Sequence, residues 1–61
     1  GLYNVLPSAE IFVDGKSLIV GSTVKVGEST FSRSGDSVGI YYDFARPITI
    51  TIDKEKYLLK R

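Results

Sequence analysis

Ile48-Thr49-Ile50-Thr51-Ile52 sets three isoleucines against two threonines at a strict period of two. In an extended strand that spacing puts the three Ile on one face and both Thr on the other, whereas a helix would scatter them around its axis. The segment reads as a strand with one buried face, and such a strand needs a sheet around it. The same signal recurs. Val24 and Val26 alternate with Thr23 and Lys25, and Val38, Ile40 and Tyr42 alternate with Ser37, Gly39 and Tyr41. Twelve Val and Ile stand against five Leu and two Ala, and four Thr raise the β-branched count further. Such side chains are stiff at χ1 and fit a pleated surface better than a helix. No window places apolar residues at the spacing of a helical face.

Turn signals divide these runs. Asp14-Gly15 lies between Glu10-Ile11-Phe12-Val13 and Lys16-Ser17-Leu18-Ile19-Val20. A type I′ turn needs positive φ at both central residues, so this pair predicts a hairpin with Ile11 opposite Leu18 and Phe12 opposite Ser17. Pro7-Ser8, Gly21-Ser22, Gly27-Glu28-Ser29 and Ser34-Gly35-Asp36 punctuate the rest, the last two bracketing a short Thr30–Arg33 piece. Asp43 to Pro47 reads as a loop, and Asp53 to Lys56 as a tight turn. Leu2 to Leu6 and Tyr57 to Leu59 are weaker strand candidates. The chain is therefore expected to be all-β: a small antiparallel β-sandwich or partly open β-barrel of six to seven short strands. Its core is expected to hold Val5, Ile11, Val13, Leu18, Val24, Val26, Val38, Ile40, Ile48, Ile50, Ile52 and Leu58.

Size and composition narrow the function. Sixty-one residues fit one small domain with a marginal core. Met is missing even at position 1, which points to a processed product or a domain cut from a larger protein. Without Cys or His there are no disulfides, zinc fingers, Ser-His-Asp triads or histidine bases. Asp14, Asp36 and Asp53 sit at turn signals, where Asp serves the backbone. No Asp-x-Asp-x-Asp-Gly run offers a calcium loop. Gly15-Lys16-Ser17 lacks the upstream glycine and the following helix of a phosphate-binding loop. We expect no catalytic residues, no metal, no cofactor and no enzyme activity. The longest aliphatic run, Leu18-Ile19-Val20, is far too short to span a bilayer as a helix.

The partner is then expected to be another protein surface or a second copy. Tyr41-Tyr42-Asp43-Phe44-Ala45-Arg46-Pro47 is the most informative stretch. Alternation sends Tyr41 and Tyr42 to opposite faces, and Phe44 falls in a loop, where a large ring is costly unless covered. Tyr, Phe and Arg are enriched at interface centres, so Tyr41, Phe44 and Arg46 are the candidate binding residues. The alternative is a small-barrel nucleic-acid binder using the basic C-terminal strand. Residues 31–61 carry six basic and four acidic groups, and Lys54, Lys56, Lys60 and Arg61 crowd the end. A net charge of +1 for the whole chain is a weak footprint for nucleic acid.

The segment Pro7-Ser8-Ala9-Glu10-Ile11-Phe12-Val13-Asp14-Gly15-Lys16 resembles the opening of PEGA-type surface-layer domains, which carry an alternating strand and a Val-Asp-Gly-Lys turn. Gly21-Ser22-Thr23 and the run from Ile48 to Tyr57 are similar to that family's next step and closing strand. About half the chain takes part. Three features depart from the pattern: no Pro follows Thr23, Lys56 stands where a Gly usually precedes the Tyr, and the stretch from Val26 to Pro47 is longer than usual. The resemblance implies a non-enzymatic β-sandwich appended to exported or envelope proteins. The last fifteen residues also look like the closing strands of Src-homology-type barrels.

Overall fold

The computed structural model describes residues 1–60. Eight strands form two antiparallel sheets, and there is no helix among the described residues. One sheet holds β1 (Leu2–Asn4), β6 (Ser37–Tyr41), β5 (Ser29–Arg33) and β4 (Thr23–Val26), in that spatial order. The other holds β3 (Lys16–Ser17), β2 (Ile11–Val13), β7 (Ile48–Ile52) and β8 (Glu55–Leu59). The all-β antiparallel architecture is as expected for a small sandwich or partly open barrel, but with eight strands rather than six to seven, because Lys16–Ser17 and Leu2–Asn4 each pair as short edge strands. The chain crosses between sheets after β1, after β3 and after β6.

Turn chemistry sets the registers. Asp14 and Gly15 have φ of 52° and 79°, and the turn pairs Val13 with Lys16 and Phe12 with Ser17. The Leu18 amide donates to the Ile11 carbonyl at 2.8 Å, so Leu18 packs inward beside Ile11 as the turn requires. Asp53 and Lys54 repeat the conformation at φ 48° and 71°, joining β7 to β8 through a second two-residue turn. Gly27 (φ 59°) alone is left-handed in the β4–β5 turn, the signature of type II′.

Seven of the expected core residues are buried: Ile11, Val13, Leu18, Val26, Val38, Ile48 and Ile50. Val5, Val24, Ile40 and Ile52 are half-buried against them. Leu58 departs from expectation at 55% exposed. The Asp53-Lys54 turn sets Ile52 opposite Glu55, which places Leu58 opposite Thr49 on the outer face and turns Tyr57 and Leu59 inward. The run after Asp14-Gly15 is also shorter than expected: β3 ends at Ser17, and Ile19 and Val20 lie exposed in a loop.

β5 supplies what the alternation did not. Ser29, Phe31 and Arg33 are its inward residues, and Phe31 is fully buried. Arg33, 5% exposed, sends Nη1 to the Ala9 carbonyl at 2.7 Å and Nη2 toward Leu6 O (3.3 Å) and Pro7 O (3.4 Å). Those carbonyls belong to the segment carrying the chain from β1 to β2, which is folded by a turn in which the Ala9 amide donates to Leu6 O. Pro7 holds that turn's second position, where its fixed φ is already correct. Arg33 thereby ties the two sheets together along one side.

Candidate functional site

The β6–β7 loop is ordered by its own polar groups. Asp43 Oδ1 accepts from the Ala45 amide at 3.0 Å and from the Ser29 hydroxyl at 3.0 Å. The Asp43 amide donates back to Ser29 Oγ. The Ala45 amide first, and the Ser29 hydroxyl after it, hold the Asp43 carboxyl below its ordinary pKa, against an opposing desolvation effect. The bond from Asp43 to the residue two positions on is an Asx turn, and it leaves Phe44 between them at φ 62°. An ordinary side chain reaches the left-handed region only when its surroundings impose it. Here that backbone turns the Phe44 ring outward, 55% exposed, its centroid 5.0 Å from that of Tyr42.

Tyr42 anchors the loop from below. Its hydroxyl lies between the carbonyls of Leu59 and Arg46, with one proton to share between them. Tyr41, on the opposite face of the strand, is 65% exposed. Tyr41 and Phe44 line the same hollow, about 410 Å³, together with Tyr3, Ile40, Leu59 and Lys60. Arg46 is not part of it. Its Nη2 pairs with Asp14 Oδ2 at 3.1 Å, at the tip of the β2–β3 hairpin. Both side chains are well exposed, so the pair fixes position more than it stabilises. The structure thus brings together two of the three residues singled out from the sequence and sends the third to a neighbouring tip.

Sequence reasoning missed a second feature. Between the sheets, on the side where β1 and β8 are the outermost strands, lies a groove of about 340 Å³. Its walls are apolar apart from Asn4 and the tyrosine hydroxyls, and they include Val38, Ile40, Ile52 and Leu59. Tyr3 (56% exposed) and Tyr57 (52% exposed) stand on its two lips. Tyr3, Ile40 and Leu59 line both spaces, so the groove runs on into the Tyr41–Phe44 hollow. The signal in the sequence was Tyr57 alternating with Leu59, which the weak strand pattern at that end concealed.

Both lips are strand edges with free backbone groups. Gly1 and Ile40 exchange two hydrogen bonds (2.6 and 2.8 Å), and the Val5 amide donates to Asp36 O. Antiparallel ladders alternate, so the amides and carbonyls of Leu2 and Asn4 point away from β6. In β8 the two-residue turn makes Ile52 and Glu55 the closing pair. Tyr57 and Leu59 then bond to β7, while Lys56 and Leu58 present their backbone groups outward. Lys54, Lys56 and Lys60 are exposed along this edge, and none has an acidic partner among the described residues. Arg61, the remaining member of the basic C-terminal group, lies outside the described residues. No three carboxylates gather as a metal site among the described residues.

No family model, curated protein or solved structure matches the chain. No helix among the described residues is long and apolar enough to cross a membrane.

Proposed function

We propose that this domain is a non-enzymatic protein-interaction module whose binding surface is the apolar groove between the β1 and β8 edges, extended by the Tyr41–Phe44 hollow. The groove carries the reading. A domain this small has few apolar side chains to spare, yet Tyr3, Tyr57, Tyr41 and Phe44 remain more than half exposed around one continuous concavity. Concave apolar surface rimmed by aromatics is what an anchor side chain of a partner fills. The Asx turn at Asp43 and the Tyr42 hydroxyl hold the rim in place before any partner arrives, so little ordering entropy is lost on binding. Arg46 stands at the periphery as a rim charge, with its backbone carbonyl helping to hold Tyr42. The PEGA-type likeness belongs to the proposal as well, and would set the module in an exported or envelope protein.

The test is capture from the source lysate on immobilised domain, comparing wild type with Tyr41→Ala, Phe44→Ala and Tyr57→Ser, with each variant's melting recorded. A protein retained by wild type and lost from the variants at unchanged melting temperature is the expected result. Truncating a true anchor should weaken binding by about 2 kcal/mol or more, near thirtyfold. Equal retention by all four overturns the assignment of the site. Retained nucleic acid, released as salt rises to ~200 mM, would put the basic-strand alternative in its place.

A further inference from the structure

We infer that the occupant of the groove is an extended segment of another protein that adds to the free edge of β8, antiparallel to it, with apolar side chains turned into the groove and acidic ones turned out. This rests on the groove being the binding surface and goes on to name what binds there.

Three observations converge on that chemistry. The outward backbone groups of Lys56 and Leu58 need hydrogen-bond partners spaced like those of a strand, and a strand supplies them. β8 is five residues long against three for β1, so it is the longer of the two lips. Its side chains also alternate in the sense a new strand would continue: Tyr57 and Leu59 line the groove, Lys56 and Leu58 do not, and Lys60 borders the adjoining hollow.

Charge then selects the partner. A second copy pairing edge to edge about Leu58 would set Lys56 directly opposite Lys60, and like charges across a ladder repel. The same lysines that deter self-association favour glutamate or aspartate at the facing positions. The apolar walls favour Val, Ile or Leu at the alternate ones.

The geometry also fixes the parity of the hydrogen bonds. Lys56 and Leu58 point their amides at the incoming strand, so the residues opposite them form hydrogen-bonded pairs. Those opposing residues share the outer face and are the acidic ones. Their amides bond to β8, while the amides of the apolar residues point away.

The probe is a fluorescein-labelled heptapeptide alternating Glu and Val, followed by anisotropy at low salt. Companion peptides carry N-methyl groups on every Glu, carry them on every Val, or replace Glu with Lys; single-stranded DNA is run alongside. The expected result is binding of the Glu/Val peptide, retained when Val is methylated and lost when Glu is methylated. Lys56→Glu combined with Lys60→Glu should weaken it about tenfold, since two attractive cross-strand pairs become repulsive. These lysines are exposed, so the variant keeps its fold. Strand addition is overturned if the Glu-methylated or Lys-bearing peptide binds as well as the parent. In that case loss of binding in Tyr57→Ser would leave the groove standing as the surface. Absence of any peptide binding up to ~1 mM, or binding of the DNA alone, overturns both.

Discussion

Replacing Arg33 should be among the most damaging single changes, although a charged residue beside Gly and Ser would ordinarily be counted as surface. Its guanidinium donates one well-formed bond to Ala9 O at 2.7 Å and two stretched ones to Leu6 O and Pro7 O. A hydrogen bond from a charged donor contributes about 1.5–3 kcal/mol, and a carbonyl left buried without a partner costs a similar amount. The stretched pair adds less, being beyond the usual range for N–H···O bonds. Nε has no partner among the described residues, so part of the gain is already offset. Arg33→Ala should therefore cost about 2–4 kcal/mol. A 61-residue domain at the usual ~0.05–0.15 kcal/mol per residue has only about 3–9 kcal/mol in all. Arg33→Met separates the two roles of the side chain. It keeps the length and apolar stem, removes the desolvated charge, and abandons the three carbonyls. If those carbonyls matter, Met should still lose about 1–2 kcal/mol. Urea unfolding followed by far-ultraviolet circular dichroism gives the answer as a lowered midpoint at unchanged slope. A Met variant as stable as wild type would mean that Arg33 only fills space, and its tie between the sheets would have to be abandoned.

Ile50→Ala should cost about 2–5 kcal/mol by the large-to-small rule, with Thr49→Ala and Thr51→Ala far milder; equal losses in thermal melts would mean that both faces of β7 are buried. Gly15→Val should cost roughly 1–3 kcal/mol from backbone strain alone, since at φ +79° nothing lies within 4 Å of a new Cβ, and an unchanged melting temperature would contradict the turn. Lys54→Gly, at φ 71°, should raise the urea midpoint for the converse reason. Asp43 has a folded pKa held below its unfolded value, so its contribution is full above the unfolded pKa and is lost as pH falls through the folded one. Between ~pH 5 and ~pH 2.5 wild type should lose more stability than Asp43→Asn, and parallel losses would remove Asp43 from the account.

The parts of the fold that were legible are those where one residue type decides the geometry. Ile48 to Ile52 can be nothing but a half-buried strand, and Asp14-Gly15 sets the β2–β3 register without help from the rest of the chain. β5 was obscured because its inward positions are Ser29, Phe31 and Arg33. Two of these are polar, and they are accommodated by Asp43 and by three carbonyls that come from distant segments. Hydropathy cannot register partners that only the fold supplies. Leu58 shows the opposite failure: it is apolar and adjacent to a core strand, yet the two-residue turn at Asp53-Lys54 decides its face. At the site, strand parity was enough to expose Tyr41, and the position of Phe44 past the strand's end was enough to place it in a loop. The ion pair between Arg46 and Asp14 spans 32 residues, and the groove is made by β1 and β8, the first and last strands. Neither has a local signature.

The proposed function places a partner in the opening between β1 and β8. The direct measurement is an amide chemical-shift map of the labelled domain during titration with the Glu/Val heptapeptide. Shifts are expected to group at Tyr3, Ile40, Lys56, Tyr57, Leu58 and Leu59, with β4 and the Ile19-Val20 loop unchanged. Shifts centred on β4 or on Ile19-Val20, with the β8 amides unmoved, would contradict it.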